Sequence, residues 1–209
     1  MATPIEERRT HWETVWRERR EEEVSWFEEE PRLSLSLVEA AGLKPEAPII
    51  DVGGGAARLV DRLLARGYRD ITVLDLAEEA LARARARLGA RAREVHWIVA
   101  DVTRWHPERS YALWHDRAVF HFLVEEEDRR RYRQTLAEAL APGGQAIVAT
   151  FAPDAPPRCS GLPVMRYGPE ALAEALGPGL RLVEARTDRH RTPKGVIQPF
   201  TWVRMVRTG

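Results

Sequence analysis

Three short apolar runs in this chain each stop at an acid: Pro48-Ile49-Ile50-Asp51, Ile71-Thr72-Val73-Leu74-Asp75 and Trp97-Ile98-Val99-Ala100-Asp101. The first leads directly into Gly53-Gly54-Gly55. Runs of this length, rich in β-branched residues and separated by helical patterns, read as buried parallel strands. Open α/β sheets bind their ligands at the carboxyl ends of the strands. The chain is therefore expected to be α/β, with three carboxylates and a glycine turn aimed into one crevice.

The 209 residues suffice for one α/β domain with a core. The charged N-terminus lacks the apolar stretch of a signal peptide, and no run is long enough to span a bilayer, so a cytoplasmic location is expected. The single cysteine, Cys159, excludes an internal disulfide and a thiolate metal cluster. Acidic and basic residues balance at 32 each, so no global field recruits nucleic acid or an anionic membrane. Arg supplies nearly all the positive charge and Asn is absent. Both a thermophilic source and a GC-rich genome give that bias.

Periodicity predicts helices over residues 5–23 and 31–41, one through Leu59, Val60, Leu63 and Leu64 that stops near Gly67, one through Leu81, Ala84 and Leu88 that ends before Gly89, one from 124 or 125 through Leu140, and one over 170–176. Pro31 suits a first-turn position, and Gly42, Gly67 and Gly89 suit helix ends. Further strands are predicted over 71–75, 95–100, 111–115 and 146–151, with an antiparallel edge pair over 180–185 and 200–206. Pro142-Gly143-Gly144 reads as a turn and 152–168 as a loop.

The glycine turn follows a strand, opens a helix and is followed by an acid 22 residues after Gly53, which is the context of a nucleotide-type site. Two ligand classes compete for it. A dinucleotide wants a third glycine where Arg58 stands, and pyrophosphate fits poorly beside Asp51. S-adenosylmethionine carries no phosphate but offers a sulfonium, an ammonium, a ribose diol and an adenine amine, all suited to acids. Asp75 can accept from both ribose hydroxyls, Asp101 from the adenine amine, and Asp51 can orient the ammonium. Each acid has a plainer role as a turn or helix cap.

These residues resemble the motifs of the class I S-adenosylmethionine-dependent methyltransferases. Ile49-Ile50-Asp51-Val52-Gly53-Gly54-Gly55 looks like their first motif, and Asp75 with Leu76 matches the acid after strand two. Ala100-Asp101-Val102 matches the adenine motif, and Leu140-Ala141-Pro142-Gly143-Gly144 the turn before strand five. Ala57 departs from the third small residue of the glycine motif. The resemblance spans about residues 30–151. It implies a Rossmann-like, seven-stranded mixed sheet with strand seven antiparallel, and S-adenosylmethionine as cofactor with S-adenosylhomocysteine as product. One domain is expected over 1–209, with 1–30 as an N-terminal helical lid and 31–209 as the core. The flanks, including Val24-Ser25-Trp26-Phe27, resemble bacterial small methyltransferases, distantly similar to lysine methyltransferases of citrate synthase. Cys159-Ser160-Gly161-Leu162-Pro163 and the segment from Thr192 to Phe200 also look family-specific, with no role assigned.

Methyl transfer is an in-line displacement, so the acceptor belongs beyond strand four. His115, Asp116 and His121 lie there as candidate catalytic residues, a base and its orienting acid, and Arg117 borders the cofactor. The plainer readings are a core histidine and a helix-capping Asp116. Metal binding by the same three is a further alternative. Trp12, Trp16 and Trp26 read either as an apolar stripe or as a lid whose faces tolerate a sulfonium. Tyr167, His190 and Cys159 are candidates for the far rim. The runs Glu21-Glu22-Glu23, Glu28-Glu29-Glu30 and Glu125-Glu126-Glu127 read as solvated faces or a dock for a basic partner, and Arg83, Arg85 and Arg87 as a solvated face or an RNA contact. The expected reaction is methylation of an O, N or S nucleophile. The acceptor is a small molecule, or second a protein lysine, on a monomer or homodimer. A nicotinamide-dependent oxidoreductase and a non-catalytic cofactor-binding protein are the readings from other classes.

Overall fold

A computed structural model describes residues 5–209. Helix α1 spans Ile5–Glu18, followed by a 3-10 turn at Glu21–Glu23; α2 is Arg32–Ala40, α3 Leu59–Ala65, α4 Glu78–Leu88, α5 Glu126–Ala139 and α6 Pro169–Leu176. The strands are β1 Ile49–Val52, β2 Ile71–Asp75, β3 Val95–Val99, β4 Tyr111–Arg117, β5 Leu140–Phe151, β6 Arg158–Cys159, β7 Leu162–Pro163, β8 Leu180–Arg191 and β9 Ile197–Arg207. Seven of them form one sheet in the order β3-β2-β1-β4-β5-β9-β8. β1 to β5 pair in parallel, and β9 runs antiparallel to both of its neighbours. The expected seven-stranded, Rossmann-like mixed sheet with its last strand reversed is the observed one.

Period-two alternation divides the core between the faces of this sheet. Ile49, Ile71, Leu113 and Ile147 pack beneath α2 and α3. Ile50, Leu74, Trp114 and Val148 pack beneath α5 and α6. Leu35, Leu37 and Val38 of α2 are at most 2% exposed. Burial of roughly 1.5–3 kcal/mol for each such side chain outweighs the propensity penalty of Ser34 and Ser36, a few tenths of a kcal/mol each. Burial, not propensity, makes that helix.

Several boundaries differ from expectation for tertiary reasons. α1 stops at Glu18 because Trp12, Val15 and Trp16 are its last residues with a surface to cover; beyond them the chain is charged. β5 begins at Leu140, and the turn at Pro142-Gly143-Gly144 is a bulge within it: Tyr111 pairs with Leu140, but Leu113 pairs with Gln145. Gly143 takes φ +72° there. The loop 152–168 contains the β6–β7 hairpin. β8 and β9 extend well past the expected edge pair because each finds a full-length partner in the other.

The acidic runs before α2 are not merely solvated. Glu21 pairs with Arg87 at 2.9 Å and Arg58 at 3.4 Å, Glu30 with Arg62 at 2.6 Å, and Glu29 with Arg62 at 3.0 Å. Arg87 also holds Asp61 at 2.7 Å, and Arg83 donates to the Arg19 carbonyl at 2.6 Å. Acids and arginines offered above to a basic partner or to RNA are thus spent on joining the N-terminal segment to α3 and α4.

Glu13 makes a second joint. α4 has no capping side chain of its own, and Glu13 of α1 takes that place, accepting from the Glu78 amide at 2.8 Å and the Glu79 amide at 3.3 Å. A carboxylate at a helix N-terminus satisfies orphan donors and meets the positive end of the dipole. Glu13→Ala is expected to cost about 1 kcal/mol. That lowers Tm by about 2–4 °C in a chain of this size and raises hydrogen exchange along α1. Unchanged exchange in α1 would show that the cap does not hold the helix down.

Candidate functional site

The crevice lies across the carboxyl ends of the parallel strands. Gly53 after β1, Asp75 and Leu76 at the end of β2, and Asp101 and Val102 after β3 line it, with Arg117 and Ala118 at the end of β4. Trp12 and Trp16 of α1, together with Trp26, close it from above. The aromatic rings meet edge to face, Trp12 with Trp26 at 5.8 Å, Trp16 with Trp26 at 5.9 Å and Trp12 with Phe122 at 5.0 Å between centroids. The same tryptophans pack on each other and line the crevice.

The glycine turn is shaped by its neighbours. Gly53 takes φ +68°, and a Cβ there would meet Val119 Cγ2 at 2.1 Å. Only glycine allows both the left-handed conformation and that approach. A Cβ on Gly54 would meet Asp51 Oδ2 at 2.5 Å, and one on Gly55 would meet Asp75 Oδ2 at 2.9 Å. Arg87 braces the turn from outside by donating to the carbonyls of Ala56 and Ala57 at 2.9 and 3.0 Å.

The three acids have different surroundings. Asp75 Oδ1 accepts from the Ala77 amide at 2.8 Å. Burial pushes the Asp75 carboxyl up to about 7; Asp51 and Glu13 push the same way, and the Ala77 and Leu76 amides oppose them. Asp101 Oδ1 accepts from both the amide and the hydroxyl of Thr103, at 2.8 and 2.7 Å. Its Oδ2 pairs with Arg8 of α1 at 3.1 Å, and Arg8 also reaches Asp128 at 2.8 Å. Asp51 does not line the larger crevice. Its Oδ1 accepts from His115 Nδ1 at 2.7 Å, and it lines a smaller crevice with Gly54 and Ser34 that meets the larger one at Gly53, Trp16 and Arg117.

The candidate catalytic set does not converge. Alternation along β4 sends His115 and Asp116 to opposite faces of the sheet. His115 is held on the α2 side between Asp51 and Ser34 Oγ, the latter at 3.0 Å, and faces only the smaller crevice. Asp116 is fully buried on the α5 side. It accepts from the amides of Val119 at 2.7 Å and Phe120 at 3.1 Å and from Tyr132 OH at 2.6 Å. Burial holds its carboxyl up at about 6, against the pull of Tyr132 and those amides. His121 Nδ1 accepts from the Phe151 amide at 3.3 Å, so Nε2 carries the hydrogen, and burial pushes its pKa down to about 3. With its lone pair engaged, His121 is no base, and neither it nor Asp116 lines the crevice. Among the described residues no three His, Cys, Asp or Glu side chains come together as a metal-ligand group. Of the far-rim candidates, only Cys159 lines the crevice, its thiol pushed up to about 11 by burial. His190 instead donates to the Ser25 carbonyl at 2.7 Å, and Tyr167 packs on Phe120.

Asp116 has a structural task that sequence reading left as its plainer alternative. Ala118 takes φ +77°, a conformation rarely adopted by a residue with a Cβ. The Val119 and Phe120 amides held by Asp116 pin the turn on its far side. That turn carries Ala118, Val119 and Phe122 into the crevice. The remaining wall, Phe151, Gln198 and Phe200, comes from β5 and β9. Their part in the crevice has no local signal, because it depends on which strand ends meet. Arg117 joins the rim to the roof, donating to the Trp26 carbonyl at 2.8 Å, pairing with Glu28 at 3.3 Å and stacking 5.1 Å from the Phe200 centroid.

Comparison with known proteins agrees with this geometry. The family described as "Methyltransferase domain" matches residues 49–144. The chain is 28% identical over 146 residues to eEF1A lysine and N-terminal methyltransferase of Danio rerio, covering 68% of this chain and 21% of that protein. It is 34% identical over 125 residues to trans-aconitate 2-methyltransferase of Sinorhizobium medicae, covering 58% of this chain and 46% of the relative. It thus spans about a fifth of the first relative and about half of the second. A solved S-adenosylmethionine-dependent methyltransferase from Anabaena variabilis superposes with a TM-score of 0.75 at 17% identity, over 95% of this chain and 94% of that one. The sequence match to the methyltransferase-domain family covers β1 to the start of β5, and the likeness in fold to solved S-adenosylmethionine-dependent methyltransferases covers nearly the whole chain.

Proposed function

We propose that this protein transfers the methyl group of S-adenosylmethionine to a small nucleophilic molecule. The observation that carries the reading is Asp75. It is a half-buried carboxyl whose charged neighbours are other acids, facing a crevice whose turn glycine abuts Val119 rather than leaving a cradle for phosphate. A carboxylate so placed gains most from a ligand that brings hydroxyl or amine donors without negative charge. The residues present fit the cofactor: Asp75 for the ribose diol, Asp101 and Val102 for the adenine edge, Gly53 for close approach, and the tryptophan roof for the sulfonium. Bound there, the cofactor supplies an electrophilic methyl group on sulfur and departs as S-adenosylhomocysteine.

The chain's own residues orient, enclose and exclude water. Trp12, Trp16 and Trp26 separate the reacting end from solvent, which strengthens every electrostatic contact inside. Among the described residues no free histidine or thiolate faces that end: His121 has its lone pair engaged, and the Cys159 thiol stays protonated at neutral pH. The acceptor must therefore arrive with its lone pair available, and the proton it later sheds leaves to water. The roof of residues 5–30 favours an acceptor small enough to lie beneath it. A protein lysine is the second reading, favoured by the similarity to the eEF1A lysine and N-terminal methyltransferase.

Calorimetry tests the reading directly. S-adenosylhomocysteine is expected to bind with Kd on the order of micromolar, and NADH is expected to give no heat. Binding of NADH in its place would favour the oxidoreductase. Tight S-adenosylhomocysteine binding with no release of it from S-adenosylmethionine, against metabolite pools and against lysate proteins, would favour a silent cofactor-binding protein.

A further inference from the structure

The crevice has two chemically different ends, set by strand order. Its two carboxylates, Asp75 and Asp101, follow β2 and β3 on one side of the sheet. On the other side, Phe151 at the end of β5 and Phe200 at the start of β9 pair directly, with centroids 5.0 Å apart. Trp26, Phe122 and Cys159 complete an apolar wall there. Two segments left without a role in the sequence reading meet at this end: Cys159–Pro163, which is the β6–β7 hairpin, and the run from Thr192 to Phe200.

One polar side chain interrupts the wall. Gln198 lines the crevice, is 9% exposed, and its Oε1 is buried with no hydrogen-bond partner. A buried acceptor without a donor costs free energy that a ligand can recover. One ring face at this end already holds a cation, the guanidinium of Arg117, which lies 5.1 Å from the Phe200 centroid and pairs with Glu28. Among the described residues both crevice carboxylates lie at the opposite end.

We infer that the methyl acceptor is a planar, uncharged small molecule that lies at this end against Trp26 and Phe122, the partly exposed rings of the wall, and donates a ring N–H or O–H to Gln198 Oε1. Aromatic faces bind a flat ring through offset or edge-on contact, and Gln198 selects by requiring the donor. A site built to receive a donor rejects the isostere that lacks it, since its own polar group is then left unpaired. This inference rests on the methyltransferase reading and deepens it, because it calls for an uncharged hydrogen-bond donor where the Phe200 face is already taken by Arg117.

The test uses the full chain saturated with S-adenosylhomocysteine, whose binding is first measured alone by calorimetry. Three probes of similar size are then titrated by ligand-observed NMR: isoquinolin-1-one, isocoumarin, which has oxygen in place of the N–H, and phenethylammonium. The lactam is expected to bind about tenfold tighter than the lactone, from one hydrogen bond gained and one orphan removed, and tighter than the ammonium. Gln198→Met, of similar volume, is expected to remove the lactam's advantage while leaving lactone and S-adenosylhomocysteine affinities unchanged. Equal affinity for lactam and lactone in the unaltered protein overturns the inference, a comparison that needs no variant. So does preference for the ammonium, or a lactam advantage that survives Gln198→Met. Failure of S-adenosylhomocysteine itself to bind overturns the methyltransferase reading and this inference with it, and is distinguishable because it is measured first.

Discussion

Asp75→Asn is expected to weaken S-adenosylhomocysteine binding at least a hundredfold while making the empty protein more stable at pH 8. The two effects share one cause. Burial beside Asp51 and Glu13 raises the Asp75 carboxyl to about 7, against 3.8 in the unperturbed group. Below about pH 4 it is protonated in both folded and unfolded chains, and the residue costs nothing. As pH rises from 4 to 7 the unfolded chain releases this proton more readily than the folded one, so stability falls across that window and is flat above it. At 1.36 kcal/mol per unit the penalty at pH 8 is on the order of 4 kcal/mol. Asn removes that penalty and keeps an oxygen for the Ala77 amide, so Tm should rise by roughly 10 °C at pH 8 and little at pH 4.

The loss of affinity follows from the hydrogen bonds. Bonds to a charged acceptor contribute about 1.5–3 kcal/mol each, and two ribose hydroxyls acting on Asn in place of a carboxylate lose at least about 3 kcal/mol between them, a hundredfold or more. In the unaltered protein, affinity should fall about tenfold per unit as pH drops below 7, because binding must then expel the proton. Thermal scans at the two pH values and calorimetry check both halves. An Asn variant that binds S-adenosylhomocysteine like the parent would remove Asp75 from the site, and one that melts no higher at pH 8 would show that the carboxyl is not strained.

Asp116→Ala is expected to be the most destabilising single change near the site. It leaves the Val119 and Phe120 amides and the Tyr132 hydroxyl without their acceptor in a fully buried place. Buried donors left unpaired cost about 1–3 kcal/mol each, for a loss of roughly 3–6 kcal/mol, or a fall in Tm of about 10 °C or more. Tyr132 still receives the Trp114 Nε1 hydrogen at 2.9 Å, but its own hydroxyl proton loses its acceptor. Asp116→Asn keeps an acceptor oxygen for the amides and should recover part of the loss. The turn at Ala118 also loses its anchor, so the crevice wall at Val119 and Phe122 should show faster hydrogen exchange. Melting within 2 °C of the parent would mean that the surrounding packing alone holds that turn.

Much of the strand layout was legible because the carboxylates stop three apolar runs of period-compatible length. Strand ends are local events, and Ile71–Asp75 could be read to the residue. His115 and Asp116 were legible as residues at the end of strand four, with a catalytic and a plainer structural role both open for each. Adjacent positions on a strand point to opposite faces, and the helices covering each face decided what they met: α2 with Ser34 for one, α5 with Tyr132 for the other. The acidic runs read as solvent-facing because like-charged triplets carry no information on distant arginines, and Arg58, Arg62 and Arg87 came to them only through the docking of the N-terminal segment.

Covalent order along the chain thus determined the strand type, the glycine turn and the acids beside it, since each follows from residues within a few positions of one another. Tertiary structure alone decided the composition of the crevice's other half. Gln198 and Phe200 reach Phe151 because β9 inserts antiparallel between β5 and β8. Register between segments some fifty residues apart depends on burial summed over the whole sheet, which no local pattern carries.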